Sequence, residues 1–159
     1  MLEKGYSLLR YQDVADSETR LLALTSLTPT EFRALVPAFE TCFVATMQTH
    51  TIDGFPRANR RYVSSKNSPL PTIEDKLLFI LVHMKQNLTQ EVQGCLFDMR
   101  QSVANKWLQL LRPVLQGALR QEGALPARTA TITRDSNTET SDSPPFFIMM
   151  APNVPSRGQ

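Results

Sequence analysis

Asn67-Ser68-Pro69-Leu70-Pro71-Thr72-Ile73-Glu74-Asp75-Lys76-Leu77-Leu78-Phe79-Ile80-Leu81 is the stretch whose reading decides the fold. It closes a basic, loop-like segment and opens a strongly apolar helix. Thr72 is placed to cap the free N–H groups, and Glu74 and Asp75 fall in the first turn, where the helix dipole favours acids. From Ile73 to about Gln86 the pattern is apolar nearly all round, so this helix belongs at the centre of a core.

Downstream, Asn87-Leu88-Thr89 breaks the pattern. Thr89 caps a short helix, Gln90 to Phe97, expected to turn Val92 and Leu96 inward. Phe97-Asp98-Met99-Arg100 is a tight connection, and a longer helix runs from Gln101 to about Gln121. Its inner stripe is Val103, Ala104, Trp107, Leu108, Leu111, Val114, Leu115, Ala118 and Leu119, with a bend expected at Pro113. Trp107 reads as a core anchor. A short helix, a turn and a longer helix make a helix-turn-helix, whose second helix enters the major groove with its early residues at the base edges. The early outward positions here are Arg100, Gln101, Ser102, Asn105, Lys106 and Gln109. Gln and Asn can pair with adenine through two hydrogen bonds, while Arg and Lys suit guanine or phosphate. A solvated helix face carries the same residue types, so the rest of the chain has to decide.

Upstream, Thr28-Pro29-Thr30-Glu31 is a helix start: Thr28 as cap, Pro29 at the first helical position, Glu31 completing a capping box. Phe32, Leu35, Val36, Phe39, Phe43 and Met47 follow at helical spacing, interrupted by Pro37, which is expected to kink or split the helix. The helix fades near His50, and Asp53-Gly54 turns the chain. Phe55 to Pro71 has no apolar period, three prolines, no acid, and the cations Arg57, Arg60, Arg61 and Lys66. It reads as a long loop or arm able to follow a phosphate backbone or a minor groove. Between Gly54 and Arg120 ten Lys/Arg face four Asp/Glu, a surplus of +6 against +2 for the whole chain, which favours a polyanionic partner.

The remaining features exclude more than they suggest. With 159 residues, 42% of them hydrophobic, the chain has room for one domain with tails. Cys42 and Cys95 lie in apolar helical patterns and are expected to be reduced, buried thiols. No secretory signal is visible, and the longest apolar runs, Leu77 to Val82 and Phe146 to Ala151, fall far short of the ~20 residues that span a bilayer. The expectation is a soluble, cytoplasmic protein without a membrane partner. His50 and His83 lack neighbours at metal-ligand spacing, the six glycines form no phosphate loop, and the helix dipole accounts for Glu74-Asp75 without catalysis. No catalytic residue, no metal site and no cofactor is expected.

Several of these stretches, in order and at compatible spacing from about Leu24 to Arg128, resemble the N-terminal part of bacterial insertion-sequence transposases of the DDE type. The resemblance rests on Leu27-Thr28-Pro29-Thr30-Glu31-Phe32, on Thr49-His50-Thr51-Ile52-Asp53-Gly54, on the Asn67–Leu81 run, on Ala104-Asn105-Lys106-Trp107 and on Leu125-Pro126-Ala127-Arg128. It implies an all-α helical bundle with a helix-turn-helix unit that binds double-stranded DNA at the element's terminal inverted repeats. Two positions depart from the family: Arg100 stands where a small capping residue is usual, and Val103 where a polar residue is frequent. The layout expected is an N-terminal arm with weak helix over residues 1–27, the DNA-binding domain over 28–124, and a disordered tail over 125–159.

The tail also carries a reading-frame signal. Met has the single codon ATG, so Met149-Met150 read from the third base forces GAT, and Met150-Ala151 forces GGC. The shifted frame therefore encodes Asp-Gly, and the flanking codons permit His-Asp-Gly-Thr-Glu-Arg-Pro-Ile-Pro, which is similar to the family segment holding the first catalytic Asp. The tail is thus expected to be a frameshifted nuclease start, with no nuclease activity in the translated chain. Two readings compete with a DNA-binding fragment: the first part of an active transposase completed by a second frame, and a helical protein-interaction module. A second copy or a full-length transposase is a further expected partner.

Overall fold

The computed structural model describes residues 9–58, 61–65 and 67–124. Among these lie six α-helices, α1 (Tyr11–Val14), α2 (Glu18–Thr25), α3 (Pro29–Thr49), α4 (Ile73–Gln86), α5 (Gln90–Leu96) and α6 (Gln101–Gln121), and no strand beyond an isolated bridge between His50 and Pro56. The fold is all-α. The expected disordered tail and the frameshifted segment fall outside the described residues.

The starts of the helices follow their capping residues. Thr28 accepts from the Glu31 N–H at 3.3 Å while the Glu31 carboxylate accepts from the Thr28 N–H at 2.8 Å, a complete capping box that holds the Glu31 carboxyl below its usual range. Thr72 accepts from the Asp75 N–H and Thr89 from the Val92 N–H. Neither internal proline divides its helix: α3 runs through Pro37 and α6 through Pro113, both rings lying on the solvent side. A proline on the outer face still removes one backbone hydrogen bond, but its ring meets no packed neighbour.

Helix α4 is the axis of the bundle. Every residue from Asp75 to His83 is buried, and α1, α2, α3 and α6 all pack on it. Phe79 meets Phe97 edge-on at 4.9 Å, and Trp107 is buried, 4% exposed. Residues 9–27 are built into the bundle rather than lying loose. Leu21 is fully buried, Tyr11 stacks on Phe32 at 4.7 Å, and the Asp75 carboxylate accepts the Tyr11 N–H at 2.8 Å beside Arg10 at 3.6 Å. Asp75 therefore does more than complement a dipole: it ties the N-terminal segment to α4.

Lys76, next to it, is 2% exposed. Its ammonium donates to the carbonyls of Leu70, at 2.8 Å, and Thr72, at 3.3 Å, and lies 5.2 Å from the Phe43 ring centre and 5.8 Å from that of Trp107. Carbonyl oxygens and ring faces partly replace the missing water. Burial nevertheless pulls the group from 10.5 to about 8, against Asp75 and Glu74, which raise it.

Two expectations are corrected. On α5, Val92 and Leu96 face outward, 46% and 37% exposed, while Gln93 and Gly94 are buried. Cys95 shares that outer face and is exposed, and Cys42 is half-buried; both are free thiols. A helix of seven residues has fewer than two turns, too few for spacing alone to fix which side faces the core.

Candidate nucleic-acid interface

Helices α5 and α6 meet through a turn built on a close approach. The Met99 N–H donates to the Gly94 carbonyl at 2.9 Å, and a Cβ placed on Gly94 would stand 2.5 Å from the Met99 carbonyl oxygen. Only a residue without a side chain fits there. Asp98 takes the left-handed conformation, φ 50°, that reverses the chain. Gln93, fully buried, donates from its amide to the Phe79 carbonyl at 2.8 Å and so fastens α5 to α4. The turn and its two helices thus hang from the centre of the core.

The first turn of α6 is open. Arg100 occupies the cap position and no side chain caps this helix; the Val103 N–H, the group that Thr72 and Thr89 serve in their helices, donates to the Arg100 carbonyl at 3.0 Å, and a side-chain oxygen for the first turn is lacking. Arg100, Gln101, Ser102, Lys106 and Gln109 are exposed along this edge. Asn105 is half-buried, its Oδ1 accepting from Gln90 of α5 at 3.1 Å and from Gln109 at 3.3 Å. That side chain braces α6 against α5, which leaves Gln101 and Gln109 the more accessible amides.

The basic loop enters this site through its root. After α3 the Thr51 N–H donates to the Phe55 carbonyl at 2.8 Å, Gly54 turns at φ 83°, and the Arg57 N–H donates back to the Thr49 carbonyl at 2.8 Å. Asp53, on this turn, forms an ion pair with Lys106 of α6. Beside it Thr46, His50, Gln109, Leu110 and Pro113 line a shallow cleft of about 260 Å³. Pro113 offers no N–H to the Gln109 carbonyl, so that carbonyl lacks its usual i+4 helical partner. Sequence reading did not place Asp53 here; its contact joins segments more than fifty residues apart, which no local pattern can signal.

The cations differ in how freely they meet solvent. Arg61 is exposed. Arg57 is half-buried, its guanidinium 5.8 Å from the Tyr62 ring centre, while Tyr62 in turn meets Phe43 edge-on, so Arg57 is partly committed to holding the loop on α3. Lys76 lies in the core, and Arg112 donates to His83 Nε2 at 3.0 Å on the α4 side. Burial, with Arg112 adding, keeps His83 below the usual histidine range. Arg60 and Lys66 lie outside the described residues. Lys76 is withdrawn from the surface, but the buried acid Asp75 is withdrawn with it, so the cationic surplus of this segment is not reduced by burial.

Residues 68–121, about a third of the chain, match the family described as the helix-turn-helix of DDE superfamily endonuclease. This segment is similar to that family. The matched segment runs from the start of the α4 approach through α5 and the whole of α6, and the two departures from the resemblance, Arg100 and Val103, sit at the exposed cap and on the half-buried side of α6. No curated protein and no solved structure matches the chain. Among the described residues no group of three or more His, Cys, Asp or Glu side chains is placed to hold a metal ion, and no described helix is long and apolar enough to cross a membrane.

Proposed function

We propose that this chain is the DNA-binding part of an insertion-sequence transposase, that it recognises the element's terminal inverted repeats as double-stranded DNA, and that it does not itself cleave. The observation that carries the proposal is the uncapped, exposed leading edge of α6, Arg100-Gln101-Ser102, on a DDE-type helix-turn-helix. Free helix N–H groups favour phosphate, and Gln and Arg at this edge suit base edges in the major groove. Arg61, with Arg60 beside it in sequence, extends the footprint onto the backbone.

Two classes of variant separate these roles. Arg60→Ala with Arg61→Ala is expected to weaken binding to all duplexes and to reduce the salt dependence by about one counterion for each phosphate left unneutralised. Gln101→Ala is expected to change the order of preference among sequences, at roughly 1–3 kcal/mol for the base contact it removes. Binding titrations at several salt concentrations read both effects; a wild-type chain with no salt-sensitive binding to terminal-repeat or random duplexes would end the proposal.

The codon arithmetic of Met149-Met150-Ala151 supports the assignment of cleavage chemistry to a different frame. Sequencing of the gene through and past the codon for Gln159 is expected to show further nuclease codons in the shifted frame. Their absence would remove the support for a frameshift.

A further inference from the structure

Phe55 carries the one exposed aromatic ring among the described residues, 69% exposed, whereas Phe32, Phe39, Phe43, Phe79, Phe97 and Trp107 are all buried. Its backbone is fastened. The Phe55 carbonyl accepts the Thr51 N–H, its own N–H donates to Thr51 Oγ1 at 3.3 Å, and the next residue bridges to His50. A large apolar ring held in water on a pinned turn adds little burial to the fold, and its fixed place beside the cationic loop and α6 leaves it available to a partner. The turn stands against the recognition helix through Asp53 and Lys106, with Arg57 and Arg61 following in the same loop. Asp53, the single acid of the turn, is already engaged by Lys106. What covers Phe55 must therefore tolerate a cationic surround and offer an apolar surface. Duplex DNA does both, with phosphates outside and base faces within.

We propose that Phe55 is a base-contacting side chain that inserts its ring at a base step beside the groove occupied by α6, making the Thr51–Pro56 turn a second reading element. This rests on the DNA-binding reading above and adds a distinct contact to it. An apolar wedge of this kind partly unstacks the step it enters, and the ring recovers stacking against a base. The ion pair of Asp53 with Lys106 links the turn that carries the wedge to α6.

The test uses a duplex selected by the full wild-type chain from a random-sequence pool, with 2-aminopurine moved through the site one position at a time. Wild type is expected to raise the fluorescence at one step. Phe55→Ala is expected to abolish that rise and to weaken binding roughly ten- to a hundredfold, with the salt dependence unchanged because every phosphate partner is retained. Phe55→Trp is expected to restore the signal. The exposed position leaves folding intact, which an unchanged melting curve verifies. Equal affinity and equal fluorescence for wild type and Phe55→Ala would overturn the wedge while leaving DNA binding in place. A wild-type dimer that Phe55→Ala converts to monomer, with DNA binding unaltered, would assign the ring to a protein interface and overturn it as well. If the wild-type chain selects no duplex, the proposed function fails first and the wedge with it.

Discussion

Raising the pH from about 8 to 10.5 is expected to stabilise the protein through Lys76 by on the order of 3 kcal/mol. The folded chain releases the Lys76 proton near pH 8, whereas the unfolded chain holds it to 10.5. Below pH 8 both states carry the proton, and the whole penalty of burying the charge is present. Between the two values the unfolded chain binds more protons, so stability rises with pH; above 10.5 the contribution is constant. The neutral amine can still donate to the Leu70 and Thr72 carbonyls, so the gain does not forfeit those bonds. Lys76→Met isolates the effect, since it keeps the volume but cannot titrate. Denaturant unfolding of both proteins across this window should give a stability difference that grows by about 3 kcal/mol in favour of wild type. A constant difference would show that the ammonium reaches water in the folded state.

Gly94→Ala is expected to cost about 1–3 kcal/mol of stability or more, and to weaken DNA binding even where the chain is fully folded. The added methyl would meet a backbone oxygen, which cannot rotate away as a side chain can. Either the Met99 peptide moves, breaking its hydrogen bond to Gly94, or α5 shifts on α6. Both reorient the first turn of α6. Gly117→Ala offers the comparison: its Cβ would meet Cys42 Sγ at 3.1 Å, a side chain able to yield, so a smaller effect is expected there. Thermal melts and binding titrations on the two variants decide the matter. A Gly94→Ala protein with wild-type stability and affinity would mean that the turn has slack.

Why some of this was legible in the chain and some was not follows from the range of each interaction. The helix starts at Thr28, Thr72 and Thr89 depend on oxygens three residues from the N–H groups they serve, so the sequence displays them directly. The all-round apolar character of α4 likewise announced its central place. Lys76 could not be read as buried, because its partners are backbone carbonyls and rings brought in from Phe43 and Trp107. Gly94 is one of six scattered glycines until the turn folds back onto it. Of the residues expected at the interface, Arg100, Gln101, Ser102, Lys106, Gln109 and Arg61 are exposed, as polar residues outside an apolar stripe should be. Asn105 and Arg57 are half-buried, each drawn in by a neighbour, Gln90 and Tyr62, that spacing does not reveal.

The anchorage of Asp75 has a consequence for how this module can travel between proteins. Its carboxylate is met by Arg10 and the Tyr11 N–H, Arg10 also donates to the Pro69 carbonyl, and the Leu9 N–H reaches the Leu96 carbonyl at the end of α5. A graft limited to residues 68–121 would carry a buried acid stripped of its partners and an α4 laid bare on the sides that α1, α2 and α3 cover. The smallest transplantable piece therefore opens near Leu9. Any genetic exchange of the proposed DNA-binding face must carry the N-terminal helices along, or else alter only exposed side chains that no buried partner holds.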